Sequence, residues 1–251
     1  MTEDAPATWT RSRDVPRAAV VCLVPVRNGE DDLPYFFQSA AGFADAVVAL
    51  DDGSTDGTRR MLEANPLVSV ILAHPPRDRY AGWDDARNRT RLLEAAALHA
   101  PRWIVFLDAD ESLDPCDSAA LRRLLLHDAP EDAALGFEVC RMVDDMEHYD
   151  RAGLWVYRAF RYAPSLTLPA DRFHFEPVPA SIPPERWLRT RLRLRHRSSM
   201  TAERRRERYA KYQEVDAECA YQPSYEALLD EPRIRTPWRS CPAETPVLLP
   251  A

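Results

Sequence analysis

The sequence predicts an α/β protein, with a mostly parallel central sheet, helices on both faces and a mixed β extension after it. Three observations predict this class. Runs rich in β-branched residues at 18–26, 46–50, 68–73 and 103–107 alternate with stretches of helical period, the pattern of successive βαβ units. The runs are almost wholly apolar rather than alternating, as strands covered on both faces must be. Polar clusters follow three of them, at Arg27-Asn28, Asp51-Asp52 and Asp108 to Asp110, and open parallel sheets bind ligands beyond the carboxyl ends of their strands.

Taken in order, residues 1–17 are polar and read as a flexible N-terminus, and "AAVVCLVPV" at 18–26 is the first buried strand. Glu30, Asp31 and Asp32 followed by Leu33 and Pro34 start a helix, because proline is tolerated in the first turn and acids suit its positive end. That helix should reach Phe43. "AVVAL" at 46–50 is a strand that ends in "DDGSTDGT", a helix follows over 57–64, and "VSVILA" at 68–73 is the third strand. A polar loop leads to a helix over 83–99 and then to "WIVFLDADE" at 103–111, an apolar strand that breaks into three carboxylates. A further helix covers 117–127.

Asp is depleted from strands, so the carboxylates after residue 107 call for something positive. Along an extended chain residues i and i+2 face one side about 6–7 Å apart. Asp108 and Asp110 are then expected to point the same way with small Ala109 between them. Such a pair suits a hard divalent cation, or one carboxylate on a metal and the other on a ligand hydroxyl. An isolated D-x-D is more often a strand end running into a helix cap than a site; convergence with the two other clusters favours a site here.

After residue 130 the runs shorten to "LGFEVCRMV" and "LWVYRAFRY", with Pro-rich connections. The expected organisation is an α/β half over 18–130, a mixed β region with a C-terminal helix over 131–220 in the same domain, and a Pro-rich tail over 221–251. In "LRTRLRLRH" at 188–196, Leu188, Thr190, Leu192, Leu194 and His196 share one face while four arginines take the other. His196 is thereby carried inward, and period alone fits a core histidine better than a ligand. The arginines at 204, 205, 206 and 208 in the helical stretch over 201–220 read as a solvated face, ahead of a diphosphate or membrane contact.

The 251 residues carry a net charge of −7, against a general nucleic-acid binder. Lys211 is the one lysine, so positive charge is nearly all guanidinium. Five scattered cysteines without a C-x-x-C pair read as free thiols in a reducing compartment rather than as a disulfide framework or zinc site. The N-terminus lacks an apolar signal core and no apolar run is long enough to span a bilayer. A cytoplasmic location is expected, with peripheral membrane contact left open.

"VPVRNGEDDLPYFFQSA", "VVALDDGSTDGTRRML", "GWDDARNRTRLLEAAA" and "WIVFLDADE", in this order and spacing, resemble the N-terminal half of family 2 glycosyltransferases of the GT-A fold. Trp83 before D-D-A-R-N and Glu111 after D-A-D are most similar to the branch that includes lipopolysaccharide-core β-glucosyltransferases. The resemblance covers residues 18–115 and thins beyond them. It implies a metal-dependent, inverting transfer of a sugar from a UDP-sugar to an acceptor hydroxyl on a glycan, lipid-linked glycan, peptide or small molecule. By the same resemblance Pro25, Arg27, Asn28 and Asp51 surround the nucleotide base, Asp52 receives a uracil N–H, and Arg87 contacts base or diphosphate. Asp108, beside Ala109, approaches the ribose, and Asp110 binds Mg²⁺ or Mn²⁺ with His196 as a further ligand. An inverting reaction needs a carboxylate base. The branch often has an adjacent His-Glu pair where this chain has "RFHFEPV", so the base is assigned to Glu176 first and Asp171 second.

A sugar-1-phosphate nucleotidyltransferase would share the sheet and an acidic metal site but requires a Gly-rich loop after the first strand, where "VPVRNGEDD" stands. Only 7 glycines and no G-x-G-x-x-G disfavour a dinucleotide oxidoreductase. An aspartate-phosphorylating phosphatase would want Thr or Val where Glu111 follows D-x-D. A non-catalytic nucleotide-sugar-binding subunit is the reading from another class.

Overall fold

The computed structural model describes residues 7–10, 15–80, 83–171, 176–240 and 248–250. β1 (Ala7–Thr10), β2 (Val20–Val26), β3 (Ala46–Asp51), β4 (Val68–Ala73) and β5 (Trp103–Phe106) are joined through α1 (Leu33–Ala40), α2 (Thr58–Ala64) and α3 (Asp85–Ala96). β6 (Glu111–Ser112), α4 (Pro115–Arg123), β7 (Ala134–Met142), β8 (His148–Arg161), β9 (Trp187–His196) and α5 (Ala202–Val215) follow, and β10 (Thr236–Pro237) and β11 (Leu249–Pro250) close the chain. One sheet runs β1-β4-β3-β2-β5-β8-β7-β9-β11, with β10 on β8 and β6 on β9.

The α/β reading holds. β4, β3, β2 and β5 are mutually parallel, and β8 joins β5 antiparallel to begin the mixed extension. Alternate residues of β2 serve two cores. Cys22 and Val24 meet Phe36 of α1, Leu62 of α2 and Leu121 of α4 on one face, whereas Val21 and Leu23 meet Leu92 and Leu93 of α3 on the other. That double coverage is why no polar residue interrupts the strand. In "LWVYRAFRY", Phe160 is fully buried beside Phe106, with ring centroids 6.1 Å apart. Burial of a side chain of that size contributes about 1.5–3 kcal/mol.

Several boundaries move for identifiable reasons. α1 ends at Ala40, short of Phe43, and the chain turns through Gly42, where a Cβ would come within 2.6 Å of Ser118 Cβ on α4. α4 begins at Pro115 rather than 117, with proline in its first turn, and widens to a π turn over Leu124–Asp128. Where a flexible N-terminus was expected, Ala7–Thr10 pairs antiparallel with β4, since an open sheet edge accepts extended backbone whatever its side chains. The tail also packs back. Tyr225 is buried and stacks on Tyr212 at 4.5 Å, and buried Trp238 donates from Nε1 to Asp114 Oδ2 at 2.6 Å.

Because β3 and β4 lie to one side of β2 and β5 to the other, connections diverge from β2. The crevice between the carboxyl ends of β2 and β5 is thus the place where such a sheet offers a ligand site.

Candidate active site

A cleft of about 580 Å³ opens at that crevice, within the usual size of small-ligand sites. Its first wall comes from the ends of β2 and β3. Asn28 takes a positive φ of 49°, its N–H donates to Ser54 Oγ at 3.0 Å and its Oδ1 accepts from the Thr55 N–H at 2.8 Å. Asp51 Oδ1 accepts from the Ser54 N–H at 2.9 Å. Asn28 therefore laces the two loops together while Asp51 closes the turn of its own loop, and neither lines the cleft. Gly53, at φ 77°, lets the second loop pass Pro75, whose carbonyl a Cβ would meet at 2.5 Å. This lacing leaves Pro25, Arg27 and Asp52 facing the cleft. Burial pushes the Asp52 carboxyl up; Arg77, at 2.6 Å, opposes that rise. The Arg27 guanidinium lies 4.0 Å from the Tyr80 ring and donates from Nη2 to the Arg77 carbonyl at 2.6 Å.

The D-A-D segment departs from the extended geometry expected of it. The Glu111 N–H donates to the Asp108 carbonyl at 3.0 Å, a turn that sends the two aspartates to different partners. Asp108 is gripped by Arg89 at 2.5 Å and Arg158 at 3.0 Å. Burial disfavours its charge, but Arg158 and Arg89 outweigh burial and hold the carboxyl well below the usual range. Glu111, 2% exposed, accepts the Asp108 N–H at 3.0 Å and Arg158 Nη2 at 3.1 Å, bracing the turn. Burial pushes Glu111 up despite Arg158. Asp110 faces His196, whose Nε2 lies 3.4 Å from Asp110 Oδ2. Burial opposes charge on both, and each outweighs it for the other: the Asp110 carboxyl is lowered and the His196 imidazole raised. Pairing of β6 with β9 sets Glu111 opposite His196 and so delivers the histidine. Thr190, Leu192 and Leu194 are buried as the alternation of β9 predicts, while His196, at its end, opens into the cleft rather than the core.

The second wall comes from β8, the segment after it and α5. Glu176 lines the cleft and accepts the Tyr157 N–H at 2.8 Å; burial raises its carboxyl. Asp171 is exposed and outside the cleft lining, so the second candidate base stands apart from the site. His174 and Phe175 lie outside the described residues. Arg87 is likewise exposed and off the cleft, its N–H taken by the N-cap Asp84 at 2.9 Å. The arginine that α3 contributes is Arg89, bound also to Asp85 at 2.9 Å. Helical period could have found it, since Arg89 shares the inward face with Leu92, Leu93 and Ala96.

Arg204, Arg208 and Lys211 of α5 also line the cleft, so the expected solvated face is a wall of the site. Their i, i+4, i+7 spacing was the available signal. Asp32, near the start of α1, is bound by Arg197 and by Arg204 at 2.9 Å, which ties α5 to the first wall.

For a divalent cation the donor set is Asp110 and His196, and no cluster of three or more His, Cys, Asp or Glu ligands exists among the described residues. The Asp110 carboxylate completed by phosphate oxygens and water suits a hard ion such as Mg²⁺ or Mn²⁺, and the His196 imidazole beside it is the nitrogen donor that could join such a site. Among the described residues no helix is long and apolar enough to cross a membrane.

Among solved structures, S. aureus TarS is similar at 14% identity over 78% of this chain and 40% of that one, with a TM-score of 0.46. The Pyrobaculum calidifontis mannosyltransferase PcManGT, solved with GDP-Man and Mn²⁺, is 22% identical over 51% of this chain and 36% of that one, at a TM-score of 0.34. A 4-diphosphocytidyl-2C-methyl-D-erythritol synthase is 19% identical over 59% of this chain and 76% of that one, at a TM-score of 0.35. The chain thus spans well under half the length of TarS and PcManGT. No curated protein matches. The model of glycosyl transferase family 2 matches residues 21–189, from β2 into β9, which takes in both laced loops, the Asp108 to Glu111 turn and Glu176; the chain belongs to glycosyl transferase family 2.

Proposed function

We propose that the protein is an inverting, metal-dependent glycosyltransferase that moves a sugar from a UDP-sugar to an acceptor hydroxyl. The observation that carries this reading is the division of labour in one cleft. Asp108 is neutralised by two arginines, Asp110 is presented beside a histidine, and Glu176 lies among the same lining residues.

Asp52, steadied by Arg77, accepts an N–H of the base, and Arg27 lies beside it. Asp108, locked by Arg89 and Arg158, accepts a ribose hydroxyl. Asp110 and His196 would hold Mg²⁺ or Mn²⁺, which would supply Lewis-acid neutralisation of the leaving diphosphate. Glu176 takes the proton of the acceptor hydroxyl as its oxygen attacks the anomeric carbon. A carbon–oxygen bond forms on one face, the bond to the phosphate oxygen breaks on the other, and the electron pair leaves on the diphosphate. Trp83 and Glu111 support the lipopolysaccharide-core-like branch, with a glycan, lipid-linked glycan, peptide or small molecule as the acceptor.

Glu176→Gln tests the base. Transfer should fall by about 10²- to 10⁴-fold, with UDP affinity unchanged because the Tyr157 N–H keeps an acceptor. The pH profile gives a second check. A base must be deprotonated, and burial raises Glu176, so wild-type kcat/KM should fall on acidification at a higher pH than for an ordinary carboxylate. Transfer surviving in Glu176→Gln with an unchanged acid limb would remove Glu176 from this role.

A further inference from the structure

Positive charge in the cleft is unevenly matched. Of the cations that line it, Arg89 and Arg158 are paired with Asp108 and Arg204 with Asp32, and Arg77 behind the wall is paired with Asp52. Lys211 and Arg208 form no ion pair with a carboxylate among the described residues. Lys211 Nζ lies 3.7 Å from the centre of the Trp83 ring, with Tyr80 at 5.4 Å and Tyr212 at 5.7 Å. Ring faces attract an ammonium but are no substitute for the strong acceptors that its three N–H donors can use. Arg208, one helical turn earlier, is aimed by a 2.6 Å bond from Nη1 to Ser198 Oγ. Across Tyr80 from Lys211, Arg27 has two further buried donors, Nε and Nη1, without an acceptor.

The three cations therefore border one space, and it adjoins the Asp110–His196 pair: Arg208 and Lys211 are close enough for their charges to act on Asp110, and Arg208 also acts on His196. Oriented donors without a carboxylate in direct ion-pair contact suit a polyanion of two or three charges. A lone carboxylate or a neutral sugar would leave most of them unused.

We propose that Lys211 and Arg208, with Arg27, form a seat for the donor's diphosphate, and that this seat binds phosphate even without a divalent cation. The inference rests on the donor-site reading above and adds the residues that receive the leaving group. As the sugar–phosphate bond breaks, the electron pair and its negative charge pass to the bridging oxygen. Donors already fixed around it stabilise that charge without reorganisation.

The test is calorimetric titration of the full chain in chelator with inorganic pyrophosphate, UDP and uridine. Wild type, Lys211→Met, Lys211→Arg and Arg208→Gln would be compared, with circular dichroism and thermal unfolding as fold controls. Wild type should bind pyrophosphate and UDP. Lys211→Met, which keeps the aliphatic stem among the rings, should weaken both by about 10- to 100-fold and leave uridine unchanged, and Lys211→Arg should retain most of the affinity. If Lys211→Met unfolds, Arg208→Gln gives the same comparison. Failure of wild type to bind pyrophosphate in chelator, or equal pyrophosphate affinity in a folded variant, overturns the seat. UDP binding that is the same in wild type and variants sinks this proposal alone, leaving the donor-site reading intact. Pyrophosphate binding lost in Lys211→Met, with no nucleotide bound more tightly than pyrophosphate, upholds the seat and sinks the UDP-sugar reading.

Discussion

Asp110→Asn is expected to lower sugar transfer by about 10²- to 10³-fold while the protein stays folded. Asparagine matches the side chain in size, and the turn around residue 110 is held by other bonds, from the Glu111 N–H to the Asp108 carbonyl and from the Arg197 N–H to the Asp110 carbonyl at 2.9 Å. What disappears is the carboxylate whose Oδ2 lies 3.4 Å from His196 Nε2 beside the proposed diphosphate position. His196 is affected in turn, because Asp110 is what offsets the cost of burying its charge. Steady-state transfer assays with matched thermal unfolding check both halves. A folded variant with near wild-type kcat/KM would remove Asp110 from the reaction.

Arg158→Met should be the most destabilising single change in the site, by about 3–5 kcal/mol, since removing one partner of a buried ion pair leaves charge uncompensated. Its guanidinium bridges Asp108 at 3.0 Å and Glu111 at 3.1 Å, with side-chain exposure of 10% for Arg158 and 2% for Glu111. Asp108 keeps Arg89, but Glu111 would keep only the Asp108 N–H. The sign of the pH dependence follows. Burial already raises Glu111, and loss of the cation raises it further, so the folded variant binds a proton that the unfolded chain does not. Its deficit should therefore narrow as pH is lowered from neutrality. Urea denaturation of wild type and variant at two pH values measures this, and Glu111→Gln combined with Arg158→Met should recover part of the loss. A deficit under 1 kcal/mol, unchanged with pH, would mean that the network is solvated and unimportant to folding.

The parallel core was legible because burial on both faces leaves an unbroken apolar run, and β2 and β3 are such runs. Asp52, Asp110 and Glu176 all line the cleft; the first two could be picked out because their motifs fall at strand ends, and Glu176 through the resemblance of "RFHFEPV" to the branch's His-Glu pair. Errors arose where local geometry decides. Asp108 and Asp110 looked alike in an extended chain, and only the turn closed by Glu111 separates a guanidinium-locked carboxylate from one presented to His196. Asn28 and Asp51 carry the right chemistry but spend it on the two loops' backbone. Arg87 and Arg89 differ by 200° around α3 in an ideal helix, so choosing between them needed the phase of Leu92, Leu93 and Ala96. Lys211 and Arg208 were the hardest to read. Their spacing marks one face of α5, but which surface that face meets depends on where α5 docks, which is fixed by long-range pairs such as Arg204 with Asp32 and Tyr212 with Tyr225.

Thermal unfolding of wild type and Asp110→Asn with UDP, GDP and dTDP, each with Mn²⁺, with Mg²⁺ and with chelator, tests the nucleotide-sugar site most directly. A ligand that binds only the folded state raises the midpoint by mass action. The expected result is a midpoint rise largest for UDP with a divalent cation, reduced but present in chelator, and with its metal-dependent part lost in Asp110→Asn. A folded wild-type protein whose midpoint no nucleotide moves, under any metal condition, would contradict a nucleotide-sugar site at the β2–β5 crevice.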